Sequence, residues 1–275
     1  MPEYKQQFAS WSEFVDHASA TPFSERGSDR WAGGSWEQAL VWARQGWPEG
    51  LTHIQEISAH LRDLISPRTP RPEIAFSPVG PGVLDMHRYI DGHPEPYMIY
   101  RDSSTEFDVR DRGILRVVAH IGVSGAIEPE VIRTRGAALF ALIDALESQG
   151  HRCEVDIVCV LATAKQGGER IEVRVRVKDA DQPLEPEMLA MALINPVTLR
   201  RLVFAWGLSV PVSFKKFLHI PPYGCEYGIP VDPTDRGDIY LPKAWSTERQ
   251  WDSPESAASW VRDQLQAQGI EFEEE

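Results

Sequence analysis

Residues 114–150 constrain the fold more than any other stretch, because they read as a buried strand, a short polar loop and an amphipathic helix. Ile114 to Ile121 is nearly continuous apolar, which is typical of a strand covered on both faces. The helix begins after Glu128 and ends at Gly150. In open α/β sheets, the loop after such a strand is where ligands and partners usually sit. We therefore take three loop residues as candidates for a binding site: His120, Gly122 and Ser124.

The segments that follow continue the same pattern. Cys153 to Ala162 is predicted as the next strand. Arg170 to Val177 alternates between charged and apolar residues, which predicts a half-exposed strand near an edge of the sheet. Helices are predicted from Pro186 to Trp206, with an interruption at Asn195-Pro196 that starts a new helix, and from Ser253 to Gln266. This order predicts an α/β fold with a doubly wound, mostly parallel, Rossmann-like sheet.

The first 66 residues are predicted to be helical, and Ser35 with Gln38 forms a capping-box pattern at the start of one helix. Residues 66–82 hold five prolines and two glycines, which suits a linker. The Asp91-Gly92 dipeptide between two apolar runs then predicts a β-hairpin. The sequence thus predicts three parts, namely a helical region (1–66), a linker with a hairpin (67–111) and an α/β domain (112–275).

The charge of the chain argues against direct binding of nucleic acid. A formal net charge of −13 disfavours a surface that contacts phosphates, because such a surface needs clustered Lys and Arg. The basic pairs Arg200-Arg201 and Lys215-Lys216 are expected on ordinary solvated helix surfaces. Four tryptophans could stack on bases, but their helical spacing favours a role in the core or in docking. They are Trp31, Trp36, Trp42 and Trp47.

The cysteines and the N-terminus predict a cytoplasmic protein. Cys153, Cys159 and Cys225 show no paired spacing, which favours free thiols in a reducing compartment. The first ten residues have no basic segment followed by an apolar run, so no signal peptide is expected. No stretch approaches the roughly 18 consecutive apolar residues of a membrane span, and no membrane association is expected.

Residue types that bind metals occur at Asp85, His87, Asp91 and His93. Asp85 and His87 are expected on one face of a strand, whereas Asp91 and His93 fall in the turn that follows. Such a set does not define a tetrahedral site. Neither a metal nor a cofactor is therefore predicted.

The order of strands and helices over residues 112–270 resembles the von Willebrand factor A-like family, whose domains are doubly wound α/β folds. In its metal-binding members the first strand ends in an Asp-x-Ser-x-Ser motif that holds a divalent cation through oxygen atoms. The corresponding residues here are His120, Gly122 and Ser124, so only the last serine is retained. Imidazole is a poor ligand for Mg²⁺ or Ca²⁺, and glycine has no side-chain oxygen. The resemblance implies the fold without its metal, and it puts Asp238 where a distant carboxylate of the site would lie.

Other stretches resemble a family of uncharacterised proteins encoded largely by tailed bacteriophages. The resemblance rests on the Trp-Ser-Glu-Phe start at Trp11, on residues 34–39 and 46–50, and on the Arg-Gly-Ala-Ala run at 135–138. It extends over nearly the whole chain. It implies a phage or prophage origin, and hence the host cytoplasm, but no particular activity.

The favoured function is that of a non-catalytic interaction or adaptor protein. Its partner-binding surface is predicted at the top of the sheet, in the loops 120–127, 163–169 and 221–237. Tyr223 and Tyr227 are of the type that anchors interfaces. The von Willebrand factor A-like resemblance implies protein partners such as multimeric ATPases or other large assemblies. No catalytic residue is assigned.

Three alternatives stay open: a nucleic-acid-associated phage factor in replication or transcription, a virion component, and a hydrolase. The hydrolase hypothesis takes Ser124 as the nucleophile, because it lies in a partial Gly-x-Ser-x-Gly pattern between a strand and a helix. Asp179 or Asp181 followed by His219 would keep the expected order of the triad. No histidine follows Asp238, so that carboxylate does not fit the order.

Overall fold

The structure is a computed structural model that describes residues 2–23, 27–64, 73–79, 83–101, 113–165, 168–224, 226–245 and 249–268. It divides into two compact units. The larger unit comprises residues 1–65 and 113–275, and the smaller comprises residues 66–112. The smaller unit, which contains the predicted hairpin, is therefore inserted in the sequence between the two segments that form the larger unit.

The strands are β1 Glu3–Phe8, β2 Glu73–Ser77, β3 Val83–Leu84, β4 Tyr97–Arg101, β5 Ile114–His120, β6 Arg152–Ala162, β7 Arg170–Lys178, β8 Ile229–Pro230 and β9 Ile239–Leu241. The helices are α1 Trp11–Ala20, α2 Asp29–Ala32, α3 Trp36–Gln45, α4 Gly50–Leu64, α5 Met86–Ile90, α6 Pro129–Ser148, α7 Pro186–Leu189, α8 Phe204–Ser209, α9 Val212–Phe217 and α10 Pro254–Ala267. Two π-helical segments, π1 Ala190–Ile194 and π2 Thr198–Val203, lie between α7 and α8.

The central sheet has the strand order β1-β7-β6-β5-β9, and β8 pairs with β6. The pairs β1/β7, β5/β6 and β5/β9 are parallel, whereas β6/β7 and β6/β8 are antiparallel. The prediction of an α/β fold with a mostly parallel sheet is confirmed. Its carboxyl edge is the edge at which the parallel strands β5 and β6 both end.

Two strands differ from their predictions. Residues 3–8, expected in a helical region, form β1 and pair with β7 from Glu3↔Arg170 to Phe8↔Val175. Strand β7 therefore lies between the edge strand β1 and β6, and the expectation that it is half-exposed was wrong, because most of its residues are buried. The charged residues of β7 tolerate this position because they form ion pairs. Asp156 on β6 contacts Arg174 at 3.3 Å and Arg176 at 2.6 Å.

The two faces of the sheet are covered differently. One face carries the main hydrophobic core, to which α1, α3, α4, α6, α10 and both π-helical segments contribute buried side chains. The core on the other face consists of Val118, Val158 and Val160, against which Val231 and Tyr240 pack. Among the described residues, no helix supplies a buried apolar side chain to this second core. The described helices that contribute to the main core thus lie on one face of the central sheet, whereas the doubly wound prediction requires helices on both faces.

Helix α6 crosses the core and packs against π1, α4 and α10. Gly136 makes the contact with π1 possible, since a Cβ atom there would lie 2.1 Å from the carbonyl oxygen of Leu193. The N-terminal helices begin as predicted. Ser35 accepts a hydrogen bond from the Gln38 backbone at 3.2 Å, and the Gln38 side chain accepts one from the Ser35 backbone at 2.9 Å.

The smaller unit contains the antiparallel sheet β2-β4-β3 and helix α5. The predicted hairpin is present only as the short β3/β4 pair, because residues 86–90 form a helix instead of a strand. Asp85 caps this helix by accepting hydrogen bonds from the backbone of His87 and Arg88, at 3.0 and 3.2 Å. The carboxylate is thereby engaged as a helix cap.

Two further predictions concern thiols and membranes. Cys153 and Cys159 are buried free thiols, and burial raises the pKa of each to about 12; Cys225 lies outside the described residues. No single helix in the described ranges is long and apolar enough to cross a membrane. Only Pro186–Ile194 and Thr198–Ser209 taken together reach that length and composition, with a bend of 62° between them.

Candidate functional site

A cavity of about 570 Å³ opens at the carboxyl edge of the central sheet. Gly122, Val123 and Gly125, which follow β5, form one part of its wall. Residues 161–163 at the end of β6 form another part, and residues 226–230 with β8 form a third. The cavity lies where α/β proteins usually bind their ligands, and its volume falls within the common range for ligand sites.

Aromatic side chains line the cavity. Phe204 and Tyr227 stack with their ring centroids 4.0 Å apart and their planes 5° apart. Trp31 lies 6.4 Å from Phe204, and its indole N–H donates to the Gly125 carbonyl at 3.1 Å. Three flat, well-packed rings therefore give the cavity a preformed apolar wall.

Arg200 brings a cation to this apolar wall. The residue is 1% exposed, and it lines the cavity from π2. Its guanidinium donates to the carbonyl oxygens of Trp31 and Ile127 and lies 4.3 Å from the centre of the Trp31 ring. Burial lowers the pKa of Arg200 to about 10, although the charge of Glu128 opposes this shift.

The neighbouring Arg201 has a different environment. It is also buried, but its guanidinium forms an ion pair with Asp29 at 3.0 Å and donates to the Gly34 carbonyl at 3.1 Å. Among the described residues, no carboxylate forms a comparable ion pair with Arg200. The expectation that this arginine pair lies on a solvated surface was wrong. The segment is apolar on all sides and is buried in the core, and its arginines are buried with it.

The rim of the cavity carries exposed residues of mixed character. Phe217 is 53% exposed, and His219 lies beside it with a φ of 55°, a left-handed conformation uncommon outside glycine. Glu226 adds an exposed carboxylate to the rim. Lys216 lies outside the lining, with its Nζ atom 5.6 Å from the centre of the Tyr223 ring.

His120 is fully buried behind the cavity wall. Its Nδ1 atom accepts a hydrogen bond from the Gly122 N–H at 3.0 Å, and its Nε2 atom lies 2.8 Å from the Val231 carbonyl oxygen. These partners require a neutral ring that carries its proton on Nε2. Burial, followed by the positive charge of Arg135, lowers the pKa of His120 to about 3. Both ring nitrogens are thus engaged in holding the backbone at the end of β5.

Arg135 reaches the same region from α6. Its guanidinium donates to the carbonyl oxygens of His120, at 2.6 Å, and of Pro242. His120 is the last residue of β5, and Pro242 directly follows the neighbouring strand β9. Arg135 therefore ties the two strands together at the carboxyl edge, and His120 fixes the loop that forms the cavity wall.

The other candidate residues divide into two groups. Gly122 and Tyr227 line the cavity, and a Cβ atom at Gly122 would lie only 2.5 Å from the His120 ring. Ser124 and Tyr223 do not line it. The Ser124 backbone donates to the Ala244 carbonyl at 3.2 Å, and Tyr223 is 44% exposed on the adjacent loop.

Asp238 lies at the opposite edge of the sheet. Its backbone N–H donates to the Arg116 carbonyl, and its carboxylate accepts from the Arg116 N–H, each at 2.8 Å. Arg116 precedes His120 by four residues in β5, which corresponds to about 13 Å along the strand. The prediction that Asp238 lies near the site was therefore wrong. Asp238 directly precedes β9, and only the opposite, carboxyl end of that strand borders the site.

Two of the residues proposed for a hydrolase, Ser124 and Asp179, are not brought together. Asp179 follows β7, which runs antiparallel to β6 and ends beside Val155, so it lies at the amino edge of the sheet. Its carboxylate pairs with Arg176 at 2.8 Å. Ser124 lies at the carboxyl edge, about 20 Å away along the strands. Within the described parts of the chain, no group of three His, Cys, Asp or Glu residues could hold a metal ion.

Sequence reasoning did not place three residues in the site: Trp31, Arg200 and Phe204. A signal for Arg200 was present, because two arginines within a stretch that is apolar on all sides must be buried with it. Trp31 and Phe204 lie 173 positions apart, and nothing local in the sequence indicates their contact.

The fold and the cavity define an α/β protein with a preformed cavity at the carboxyl edge of its sheet. The chain belongs to the family described as Domain of unknown function (DUF7192), whose model matches residues 2–271. No curated protein and no solved structure matches the chain.

Proposed function

We propose that the protein is a non-catalytic binding module that holds a segment of a partner protein in the cavity at the carboxyl edge of its sheet. The observation that carries the proposal is the cavity itself, with its stacked aromatic wall and its buried arginine. Aromatic and arginine side chains are enriched among the residues that dominate binding energy at protein interfaces. A preformed wall also keeps the entropic cost of binding low.

The rim supports a protein ligand over a small molecule. Phe217 on α9 is 53% exposed, and Tyr223 on the next loop is 44% exposed. Such apolar side chains around a cavity extend the contact area beyond what a small ligand would cover. A partner segment seated in the cavity would bury these side chains as well.

The wider proposal is that of an adaptor for a large assembly in the cytoplasm of a phage-infected or lysogenic host. Its support is the resemblance of several segments to tailed-phage proteins and of the central region to von Willebrand factor A-like domains. The strand order β7-β6-β5-β9, in which the chain first moves to one side of β5 and later to the other, agrees with that resemblance. Contact with nucleic acid is not proposed, because the net charge of −13 disfavours a surface that contacts phosphates.

Affinity purification from cells that express the chain, followed by mass spectrometry, tests the proposal. Three baits are compared: the unaltered chain, Phe217→Ala at the rim of the cavity, and Val212→Ala as a control of equal exposure outside its lining. We expect one stoichiometric partner that is lost with Phe217→Ala and retained with Val212→Ala. A partner retained equally by all three baits would contradict the assignment of the site. The lack of any stoichiometric partner would contradict the function.

A further inference from the structure

We infer that the partner segment presents a carboxylate to Arg200, next to an aromatic or aliphatic side chain that packs on Trp31, Phe204 and Tyr227. The inference rests on the proposed function and names the chemistry that the cavity recognises. The carboxylate comes from an acidic side chain of the partner.

The first argument is the contrast between the two adjacent buried arginines. Arg201 has its carboxylate, Asp29, at 3.0 Å. The guanidinium of Arg200 contacts two carbonyl oxygens and an aromatic ring, which bind it without neutralising its charge. A buried charge without a counter-ion is costly, and a bound carboxylate would remove that cost.

The second argument is geometric. The carbonyls of Trp31 and Ile127 and the Trp31 ring hold the guanidinium in one place beside the cavity. A guanidinium has five N–H donors in a rigid planar fork, so two carbonyls leave donors for a ligand. A carboxylate matches that fork with two parallel hydrogen bonds.

The surrounding charges do not replace such a ligand. Glu128 and Glu226 are both exposed, and water screens their charges. Lys216 is an exposed cation in the last turn of α9 and does not line the cavity. Burial is the larger cause of the lowered pKa of Arg200, and the opposing charge of Glu128 does not offset it.

The test compares two blocked tripeptides, acetyl-Phe-Glu-Phe-amide and acetyl-Phe-Gln-Phe-amide, which differ only in the charge of one side chain. Binding to the full chain is measured by calorimetry or by ligand-observed NMR. We expect the Glu peptide to bind about tenfold more tightly, as a hydrogen bond to a charged group predicts. The preference should persist at high salt, because a buried ion pair is screened little.

Three variants locate the preference. Arg200→Gln should abolish it, whereas Arg201→Gln and Lys216→Gln should retain it; circular dichroism establishes that each variant is folded. Free 3-phenylpropanoate is a further probe, and tighter binding of this acid than of the Glu peptide would assign the site to a small carboxylic acid and overturn the inference. If Arg200→Gln does not fold, the inference is tested on the unaltered chain alone. A preference for the Glu peptide that persists at high salt would support it, and equal binding of the two peptides would overturn it.

Equal binding of the two peptides, or a preference that survives Arg200→Gln, would overturn the inference. Neither result tests the proposed function. That function is tested by whether Phe217→Ala loses a partner that Val212→Ala retains. If Phe217→Ala loses the partner but the Glu and Gln peptides bind equally, the protein is a binding module that recognises its ligand without a carboxylate.

Discussion

His120 lies at a position where functional residues are common, but its surroundings are those of a structural residue. It ends the strand that leads into the cavity, yet both ring nitrogens are hydrogen-bonded to the backbone and the ring is fully buried. The absence of a carboxylate in its loop argues against a metal ligand. The sequence could not indicate the carbonyl of Val231, which lies 111 positions away.

The buried neutral state of His120 predicts a pH dependence of stability. The pKa of the ring is about 3 in the folded state and about 6.5 in the unfolded state. Below about pH 6.5 only the unfolded chain takes up the proton, so this stability is present above that pH and is lost as the pH falls towards 3. We expect His120 to account for a loss of about 1–2 kcal/mol between pH 6.5 and pH 5.

Chemical denaturation of the unaltered chain and of His120→Gln at both pH values measures this loss. The variant is expected to be less stable at pH 6.5 and to lose less on acidification. His219→Gln, at an exposed histidine, serves as the control and should retain the full pH dependence. An unchanged pH dependence in His120→Gln would contradict the assigned neutral state.

At the scale of elements, helix positions were more predictable than strand neighbours. The capping box at Ser35 and the start of α6 follow from local patterns that need no partner. The position of β7 does not, because its alternating charges fit either an edge strand or a buried one with ion pairs. Asp156, which supplies the ion pairs, lies on a different strand.

The ion pairs of β7 predict a large effect of one substitution. Asp156→Asn leaves Arg174 and Arg176 without their shared carboxylate, and Arg174 is buried. We expect a loss of about 3 kcal/mol in the free energy of unfolding. Asp179→Asn removes a more exposed partner of Arg176 and should cost less than about 1 kcal/mol. Similar losses in both variants, measured by urea denaturation, would argue against a buried network.

The contact between α6 and π1 predicts a second effect. Gly136→Ala would force a methyl group against the carbonyl of Leu193, so the two segments must move apart. We expect a loss of about 3 kcal/mol, at the upper end of overpacking effects. Gly125→Ala is the matched control, since a Cβ atom there meets nothing within 4 Å. Equal melting temperatures for the two variants would show that the contact is loose.

At the scale of the whole molecule, the larger unit is assembled from both sides of the smaller one. The predicted linker and hairpin, residues 67–111, nearly coincide with the smaller unit, because prolines and glycines signal such a boundary. The N-terminal region was predicted as a separate part, and no local pattern indicates that Phe8 and Ile57 pack into the distant core.

This assembly predicts opposite outcomes for two truncations. A chain of residues 112–275 lacks β1 and α4, and we expect it to lose cooperative thermal unfolding. A chain in which a Gly/Ser linker of equal length replaces residues 66–112 should retain cooperative unfolding, because the larger unit keeps all its strands and helices. A cooperative transition in the first chain would instead establish residues 112–275 as an independent domain.

The central claim is that the cavity at the carboxyl edge of the sheet is the binding site. Nitrogen-15 labelling of the tryptophan indoles tests it directly, since the indole N–H of Trp31 lies at the cavity and Trp251 lies outside its lining. On titration with acetyl-Phe-Glu-Phe-amide, we predict a saturable shift of the Trp31 signal and an unchanged Trp251 signal. Saturable binding that leaves the Trp31 signal in place would contradict the account.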